Sequence, residues 1–462
     1  MLGDTIVAVS TPRGKGGVAL LRISGDDAIA VASRVFCPKN QKPLDQIASR
    51  MAIYGEILAP DGDGEWVPVD DGIATVFRAP ASFTGEDTVE LCCHGGLLLT
   101  ETVLVACLAA GAKAASAGEF TRRAVMNGKM GLSSAEALGN VLEASTREQL
   151  TLAHNGMGGR IERETQEIYD ALCDILSSIY VKIDYPDEDL ADMNREQILS
   201  ALEVCEQRLC ALSATYRTGH AIAEGIFTVI CGRPNVGKSS LYNRIVGREA
   251  AIVTDIEGTT RDVLVETASL GRVTLRLFDT AGLHETDDPV ERIGIDRATR
   301  ALEDAELILA VFDGSRAADE EDKRLIAHLQ EKGTTVIAVI NKSDLSDAEE
   351  SVYADAFRNT VKISAKDGSG MDVLSTLVEA LFVDGSLDSR RDAVLTNARQ
   401  HAAAISALDA VRHAIESLRG GYPIDLSCTD AENAMVALSE LDGRAVSEDI
   451  IAQIFSRFCV GK

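Results

Sequence analysis

The sequence predicts a multidomain protein that combines mixed α/β parts with all-α parts. Three observations predict this class. Short β-type runs open the chain, long charged-apolar stretches form two separate helical regions, and strand-like runs alternate with helix-length segments between those regions. At 462 residues the chain is long enough for two to four domains. We expect one discontinuous helical domain interrupted by an inserted α/β domain, although two separate helical bundles remain possible.

The composition is that of an ordinary globular protein from a reducing compartment. Hydrophobic residues make up 46% of the chain and charged residues 25%. The net charge of −27 argues against a large basic surface for nucleic acid, but leaves room for a local basic patch or a basic partner. The ten cysteines form no C-x-x-C pair, and neither a signal peptide nor an apolar run of membrane-spanning length is recognised. We expect a cytoplasmic protein without membrane contact.

The first 120 residues are expected to form an α/β domain. The runs "DTIVAV" and "GVALLRI" flank "STPRGKGG", which predicts a hairpin, because the lysine of this turn is not followed by the Ser or Thr of a phosphate loop. Two further strands are predicted at "GIATVFRA" and "DTVELCC". A helix is predicted at "LLLTETVLVACLAAG", directly after Gly95–Gly96.

Residues 121–218 and 386–462 are expected to be helical. Ser133 to Glu136 has the capping-box pattern of a helix start, and Pro186 in "DYPDED" should interrupt a helix. Near the chain end, apolar residues recur at helical spacing and predict one apolar face that anchors the tail and leaves Val460 to Lys462 free to reach outward. The residues of this face are Ile450, Ile451, Ile454, Phe455 and Phe458.

Residues 219–385 carry a phosphate-binding loop. The runs "FTVICG", "RLFDTAG", "LILAVFDG", "TVIAVIN" and "TVKISA" alternate with helical segments, which predicts a parallel sheet covered on both faces. "GRPNVGKSS", residues 232–240, matches G-x-x-x-x-G-K-[ST] between a strand and a helix. Its backbone would wrap phosphates, Lys238 would reach the β/γ oxygens, and the hydroxyl of Ser239 would bind Mg²⁺.

Two further motifs indicate GTP rather than ATP, and two more concern the metal ion and the γ-phosphate. The carboxylate of Asp344 in "NKSD" can accept both guanine N1–H and the exocyclic amino group, and a backbone amide in "ISAK" can contact guanine O6. "DTAG" places Asp279 near the magnesium shell, and "GTTRD" supplies a threonine for the metal. Order and spacing of these motifs predict a Ras-like P-loop GTPase domain.

The residue that orients the attacking water is left open by these motifs. A Ras-like enzyme uses Gln after the glycine of "DTAG", where this chain has the apolar Leu283. The acidic candidates nearby are Glu285, Asp287, Asp288 and Glu291. Arg261 is the candidate for an arginine finger.

The chain resembles, end to end, the bacterial GTPases that modify tRNA uridine with a carboxymethylaminomethyl group at C5 (TrmE-type GTPases). The segments that carry the resemblance are "DTIVAVSTPRGKGGVALLRISG", "SFTGEDTVELCCHGG", "GEFTRRAVMNGKMGLSSAEA", "DYPDED", "GRPNVGKSS", "AIVTDIEGTTRD", "DTAGLHETDDPVERIGI" and the terminal "FCVGK". The GTPase motifs occur in many proteins, whereas the first three segments and the ending are far more specific.

The resemblance implies roles for the nucleotide and metal residues. Glu291 corresponds to the catalytic carboxylate that positions water, and Ser239 and Thr260 correspond to the Mg²⁺ ligands. A K⁺ ion is implied beside the phosphates, where a cation neutralises developing charge as an arginine finger does. Its surroundings are Asn235, Thr254, Ile256 and Thr259. The whole set of expected GTP contacts is Asn235, Val236, Gly237, Lys238, Ser239, Ser240, Thr254, Asp255, Ile256, Glu257, Gly258, Thr259, Thr260, Asp279, Thr280, Ala281, Gly282, Asn341, Lys342, Asp344, Ser364, Ala365 and Lys366.

A folate site is implied at the N-terminal domain. Its residues correspond to Arg22, Glu90, Lys129 and Lys462, and the cofactor is 5-formyl- or methylene-tetrahydrofolate. A carboxylate suits the amino-pyrimidinone edge of a pterin, and cations suit its glutamate tail. Cys459 is implied as a possible nucleophile or acid, although a buried cysteine beside Phe455 and Phe458 would give the same sequence.

The resemblance also implies domains and partners. The expected domains are 1–120 for folate binding and dimerisation, 121–218 for the first helical part, 219–385 for the GTPase and 386–462 for the second helical part. The expected partners are a second copy of the chain, tRNA, and an FAD- and NADH-dependent protein in a heterotetramer or larger complex. The alternatives are a GTP-dependent switch or assembly factor, or a folate-binding scaffold whose GTPase drives assembly.

Overall fold

The computed structural model describes residues 3–184, 193–248, 265–278, 301–345, 351–444, 454–456, 458 and 461. The chain forms two compact units, Met1–Gly139 with Ser439–Lys462, and Asn140–Leu438. No helix in the described part of the chain is both long and apolar enough to cross a membrane.

The first unit is built on a seven-stranded sheet. Its strands are β1 Ile6–Val9, β2 Val18–Ser24, β3 Phe36–Pro38, β4 Ala52–Pro60, β5 Trp66–Phe77, β6 Thr88–His94 and β7 Lys113–Ala114, in the order β3-β4-β5-β6-β2-β1-β7. β1 and β2 pair antiparallel, so the predicted hairpin is confirmed, as are the strands predicted around β5 and β6. Helices α1 Ala28–Val35 and α2 Leu97–Ala109 pack with the sheet on a core that includes Leu21, Ile57 and Leu91.

Two short helices and the chain end complete this unit. Helix α3 spans Glu119–Met126 and α4 spans Leu132–Glu143. Phe455 is buried against Leu132 and Ala135, so the predicted anchoring of the tail by apolar residues holds at this position. Gly118 permits the approach, because a Cβ there would lie 2.7 Å from the carbonyl oxygen of Phe455.

The capping box predicted at Ser133 is wrong. Helix α4 begins at Leu132, so Ser133 lies inside the helix rather than before it. The buried hydroxyl of Ser133 donates to the carbonyl oxygen of Leu441 at 2.9 Å. The local pattern predicts that this hydroxyl accepts from a backbone N–H of its own helix. Instead it bonds a carbonyl oxygen 308 residues away in sequence.

The second unit contains a helical part made from two chain segments. Its helices are α5 Arg147–Met157, α6 Arg160–Asp184, α7 Arg195–Ala214, α8 Tyr216–Ala223, α13 Ala398–Arg419 and α14 Leu426–Asp442, of which the residues from Ser439 onward belong to the first unit. One core joins side chains from both segments, among them Ile175, Leu202, Val411 and Leu438. The expected discontinuous helical domain is therefore confirmed, whereas its boundaries at 120, 218 and 385 stay predictions. Pro186 lies outside the described residues.

Capping boxes are present at helices α5 and α7, whereas the sequence predicted one at Ser133. At α5, Thr146 accepts from the backbone N–H of Gln149 while the Gln149 side chain accepts from the N–H of Thr146. At α7, Asn194 and Gln197 form the same reciprocal pair. Each pair satisfies two backbone donors that a helix start leaves open.

The α/β part of the second unit has a mainly parallel sheet. Its described strands are β8 Ile226–Gly232, β9 Val265–Leu270, β10 Val273–Phe278, β11 Leu307–Asp313, β12 Thr335–Asn341 and β13 Asn359–Lys362, in the order β13-β12-β11-β8-β10-β9. Its described helices are α9 Lys238–Arg248, α10 Glu320–Gln330, α11 Ser351–Ala356 and α12 Met371–Phe382. The predicted parallel sheet is confirmed, with one addition: the edge strand β9 runs antiparallel to β10.

The central strand β11 is apolar along almost its whole length because both faces of the sheet are covered there. Along β11, Leu307, Leu309 and Val311 belong to the core on one face. Ile308 and Phe312 belong to the core on the other face. The strand order changes direction at β8, and the carboxyl end of such a strand is where open α/β sheets bind ligands.

The start and end of the α/β part both meet helix α8. The hydroxyl of Thr218 accepts from the N–H of Asp384 at 2.8 Å. The hydroxyl of Thr215, directly before α8, accepts from the N–H of Leu395 at 3.0 Å. A Cβ at Gly219 would lie 2.0 Å from the carbonyl oxygen of Leu395, so glycine is required for this close packing.

Candidate functional site

The phosphate loop lies where the sequence predicts it, between β8 and α9. Asn235 has a φ of +62°, and Gly232 and Gly237 have φ values of +146° and +100°. A Cβ at Gly237 would lie 2.1 Å from Nδ2 of Asn341, so only glycine fits there. The loop leads into an eleven-residue helix, whose N-terminus favours an anion through unpaired N–H groups and the helix dipole.

Lys238 holds this loop in shape from inside. Its Nζ donates to the carbonyl oxygens of Gly232 at 2.9 Å and Arg233 at 2.7 Å. Partial burial lowers the pKa of Lys238, because desolvation disfavours the charged form. A phosphate in the loop would supply the negative charge that offsets this loss of hydration.

One buried side chain, Asn341, links the phosphate loop to both predicted guanine loops. Asn341 stands at the end of β12, and its Nδ2 donates to the carbonyl oxygen of Val236 at 2.8 Å. Its Oδ1 accepts from the backbone N–H of Ala365 at 2.9 Å. The side chain is 3% exposed, so both bonds are shielded from water. "GRPNVGKSS", "NKSD" and "ISAK" therefore belong to one site.

Lys342 positions the loop after Asn341. It adopts a φ of +67°, and its Nζ pairs with Oδ2 of Asp313 at 2.6 Å. Burial acts to raise the pKa of Asp313, but hydrogen bonds from Lys342 and Ser315 outweigh it and hold the pKa below its usual value. The lysine is thus used within the protein, whereas Asp344 is exposed and available to a base.

The "ISAK" loop is closed by its own backbone. Ser364 is fully buried, and its N–H donates to the carbonyl oxygen of Ser369 at 3.0 Å. The carbonyl oxygen of Ser364 accepts from the N–H of Gly368 at 2.8 Å. Lys366 is exposed on the outer side of this turn. The turn presents Ala365 between Asn341 and helix α9.

Sequence reasoning missed Arg244 of α9. Its Nε donates to the carbonyl oxygen of Ala365 at 3.1 Å, and its Nη2 donates to that of Lys366. Arg244 also lines a cavity of about 310 Å³ together with Ser240, Asn243, Gly247 and Ala365. The contact joins residues 121 positions apart, which no local motif marks.

Sequence reasoning also missed the anchoring of Arg233. This residue of the phosphate loop lies 2.5 Å from carboxylate oxygens of both Asp319 and Glu321 at the start of α10. The hydrogen bond from Arg233 lowers the pKa of Asp319 to about 2. Arg316 adds a second cation, 2.9 Å from the buried carboxylate of Asp322. Ion pairs therefore fix the side chain of Arg233, while its backbone carbonyl oxygen accepts a hydrogen bond from Lys238.

The remaining predicted GTP and metal residues divide into two groups. Ser239 and Ser240 are exposed in the first turn of α9, and Val236 is buried. The rest lie outside the described residues: Thr254, Asp255, Ile256, Glu257, Gly258, Thr259, Thr260, Asp279, Thr280, Ala281, Gly282 and Glu291. In the described part of the chain, no group of three or more His, Cys, Asp or Glu could hold a metal ion.

A second candidate site, in the first unit, contains Arg22 and Glu90. These residues face each other on β2 and β6. Nε and Nη2 of Arg22 donate to Oε1 of Glu90 at 3.0 and 2.8 Å. The guanidinium also lies over the rings of Phe83 and Phe120, at 5.2 and 5.7 Å from their centroids. Two residues expected to contact folate thus contact each other.

Lys129 borders the same loop that covers Arg22. Its Nζ donates to the carbonyl oxygen of Pro80 at 2.7 Å, and its Cδ lies 3.2 Å from the position of a Cβ at Gly85. Phe83, in contact with Arg22, belongs to that loop. Arg22 and Lys129 therefore both contact residues 80–85, and Glu90 is joined to this loop through Arg22.

Gly461 lies against the end of β1, whereas residues 460–462 were predicted to reach outward. Gly461 is buried, and its carbonyl oxygen accepts from the hydroxyl of Ser10 at 2.9 Å. A Cβ at Gly461 would lie 2.4 Å from the carbonyl oxygen of Val9, and φ there is +102°. Glycine allows this backbone-to-backbone approach, which the sequence argument did not consider. Cys459, Val460 and Lys462 lie outside the described residues.

Two family models and many full-length relatives match this chain. A family model described as "MnmE helical domain" matches residues 132–459, and one described as "GTP-binding protein TrmE N-terminus" matches residues 5–129. A tRNA modification GTPase MnmE of Acetivibrio thermocellus is 37% identical over 462 residues, covering 99% of each chain.

The chain belongs to the MnmE family of tRNA modification GTPases. Other members agree over the same length. The MnmE of Symbiobacterium thermophilum is 41% identical over 462 residues, and that of Geobacillus kaustophilus is 39% identical over 463 residues, each with 99% of both chains covered. The resemblance derived from the sequence segments is thus confirmed at the level of the MnmE family.

Proposed function

We propose that this chain is a K⁺-activated GTPase that acts with an FAD- and NADH-dependent partner on tRNA. Together they would add a carboxymethylaminomethyl or aminomethyl group to C5 of wobble uridine. The family membership gives the coarser activity, a GTP hydrolase acting in tRNA modification. The observation that carries the proposal is Asn341, which bonds both Val236 and Ala365 and so joins the phosphate and guanine loops.

In the proposed GTP complex, Lys238 keeps its two loop carbonyls and directs its remaining N–H donor at the β/γ-phosphate oxygens. This contact is favourable because the partly buried ammonium gains an anionic partner. Asp344 is exposed and would accept the guanine N1–H and amino group. Ser239 and Thr260 would hold Mg²⁺, which neutralises phosphate charge when bound.

The phosphate loop fits a monovalent cation at Asn235. This side chain is exposed on a backbone with φ of +62°, and its amide oxygen is a hard ligand suited to K⁺. Thr254, Ile256 and Thr259 would complete the oxygen set. The ion would supply positive charge beside the β/γ bridge. Glu291 would orient the attacking water.

The residues around β2 and β6 fit a folate. Glu90 uses Oε1 for Arg22, and none of the described residues donates to its Oε2, which leaves an acceptor for a pterin N–H. Lys129 is exposed and would bind the glutamate tail with Lys462. A bound 5-formyl- or methylene-tetrahydrofolate would supply the one-carbon unit. Cys459 would act there as nucleophile or acid.

The assembly that we propose contains two copies of the chain, paired through residues 1–120, and the flavin-dependent partner. The net charge of −27 would repel tRNA phosphates. We therefore assign part of the grip on tRNA to the partner. The proposed location is the cytoplasm.

Reconstitution with an unmodified tRNA transcript tests this function. The reaction contains the chain, its flavin partner, GTP, NADH and a folate in KCl or NaCl, and nucleosides are analysed by mass spectrometry. We expect modified uridine only with both proteins, and faster GTP hydrolysis in KCl because the smaller Na⁺ mismatches a cage of several oxygens. Equal hydrolysis in both salts would refute K⁺ activation. Modification by the partner alone would refute a direct role of this chain.

A further inference from the structure

Arg244 makes a double contact with the "ISAK" loop. Its guanidinium donates to two consecutive carbonyl oxygens, those of Ala365 and Lys366. A Cβ at Gly368 would lie 3.4 Å from Cζ of Arg244, so the loop passes close to the guanidinium plane. A planar fork with several donors suits two neighbouring acceptors in a way that a lysine ammonium does not.

The contact fixes Ala365 from two sides. Its N–H donates to Oδ1 of Asn341 at 2.9 Å, while its carbonyl oxygen accepts from Nε of Arg244 at 3.1 Å. Asn341 belongs to the end of β12 and Arg244 to α9, the helix that starts at the phosphate loop. Hydrogen bonds therefore fix the backbone of the loop to both the sheet and the phosphate-binding helix.

A cavity lies beside this contact, between α9 and the "ISAK" loop. It measures about 310 Å³, and Ser240, Asn243, Arg244 and Gly247 line it from one face of α9. Their spacing of three, one and three residues places them on the same side of the helix. Ala365 lines it from the loop, so the group that Arg244 positions also borders the space.

We propose that Arg244 is a positioning residue for purine selection. It holds the "ISAK" backbone where an amide meets O6 of guanine, an acceptor that adenine replaces with an amino donor. This inference rests on the guanine site of the proposed function. Arg244 acts through the loop and requires no contact of its own with the nucleotide.

Binding of three diphosphates to the full chain tests the inference. Isothermal titration calorimetry with GDP, IDP and ADP compares the parent with Arg244→Ala, Arg244→Lys and Arg324→Ala, an exposed arginine on α10. We expect Arg244→Ala to weaken GDP and IDP equally, by about tenfold, and to leave ADP unchanged, since GDP and IDP share O6. Arg244→Lys should lose less, because it can still reach one carbonyl. Arg324→Ala should match the parent.

Two outcomes would overturn the inference. The first is unchanged GDP binding in Arg244→Ala. The second is an equal loss for GDP, IDP and ADP in both Arg244 variants, which would mean general damage to the fold. Asp344→Ala distinguishes a failure of this inference from a failure of the proposed guanine site on which it rests. That variant should weaken GDP more than IDP, because only guanine has the 2-amino group. If it does not, the guanine site fails, and the role of Arg244 fails with it.

Discussion

At the scale of single residues, Asn341 connects three segments that are far apart in sequence. It bonds residues 105 positions before it and 24 positions after it. Because both bonds are buried, a residue that lacks them would leave a carbonyl and an N–H without partners. The same side chain also sets the need for glycine at position 237.

Asn341→Ala should therefore weaken GDP binding by about ten- to a hundredfold. Each buried group left without a hydrogen-bond partner costs about 1–3 kcal/mol of stability. The phosphate loop and the "ISAK" loop also lose the side chain that joins them. Titration calorimetry with GDP measures the effect. Asn341→Asp is the informative comparison: it keeps the acceptor for Ala365 but loses the donor to Val236. Parental affinity in Asn341→Ala would contradict the linking role.

Glu291→Ala should leave GTP affinity near the parental value and slow hydrolysis about 10²- to 10⁴-fold. The reason is that the proposed role is to orient water rather than to bind nucleotide. Phosphate release under single turnover measures the rate, and fluorescent-nucleotide titration measures affinity. Glu285→Ala, Asp287→Ala and Asp288→Ala serve as controls. If one of these controls slows hydrolysis and Glu291→Ala does not, the role belongs to that residue.

The sequence predicted the site where chemistry fixes local spacing, and failed where contacts are long-range. Lys238, Asn341 and Asp344 follow from short motifs, because phosphates and guanine require those groups in that order. Arg233 and Arg244 act on partners 86 and 121 residues away, so no local pattern marks them. The capping box predicted at Ser133 was wrong for the same reason, since the hydroxyl of Ser133 donates to a carbonyl oxygen far away in sequence.

At the scale of elements, helix α8 joins the helical and α/β parts of the second unit. His220 of α8 lies 3.3 Å from Glu224 and 3.2 Å from Glu306. Glu306 also accepts from the N–H of Phe227 at the start of β8, at 2.9 Å. The two carboxylates stabilise the imidazolium form and raise the pKa of His220 to about 9.

The stability of this joint should fall as pH rises. The folded-state pKa of His220 is above that of an unfolded histidine, so its contribution is complete below about pH 6.5 and is lost as pH passes about 9. The contribution is on the order of 1–3 kcal/mol. Urea unfolding between pH 6 and pH 10 measures it, with His220→Gln as control. Parallel pH profiles for parent and variant would contradict the assignment.

The fold itself was largely readable from the sequence at this scale. The apolar strands of the α/β part and the hairpin of β1 and β2 follow from their residue patterns. The short strands β3 and β7 and the antiparallel edge β9 were not foreseen. Pairing with a neighbouring strand, rather than local preference, makes such short segments extended.

At the scale of the whole molecule, the extreme end of the chain belongs to the same compact unit as its beginning. The hydroxyl of Ser10, directly after β1, donates to the carbonyl oxygen of Gly461, and Ala8 of β1 pairs in register with Arg22 on β2. Gly461 therefore lies next to the strand that pairs with the one carrying Arg22, a proposed folate residue. The nucleotide motifs have their contacts elsewhere, in Asn140–Leu438.

Removing Cys459 to Lys462 should abolish tRNA modification and leave basal GTP hydrolysis intact. The deletion removes the proposed folate and thiol groups but no residue of the nucleotide site. Modified uridine in tRNA from cells with only the truncated protein measures the first effect, and phosphate release the second. Lys462→Ala should weaken folate binding, and Cys459→Ser should impair modification with folate binding intact. Normal modified-uridine content would refute a role for the tail.

The bonds at α8 have a consequence for how the chain could be rebuilt. Thr215 and Leu395 touch, although 180 positions separate them. A short linker between these two residues would bypass everything from 216 to 394 and still return the chain to α13. The segment that contains the GTPase region therefore leaves and re-enters the helical part at two residues that are hydrogen-bonded to each other. Residues 216–394, which contain the nucleotide site, could be removed there or replaced by another domain without changing the path of the remaining helices.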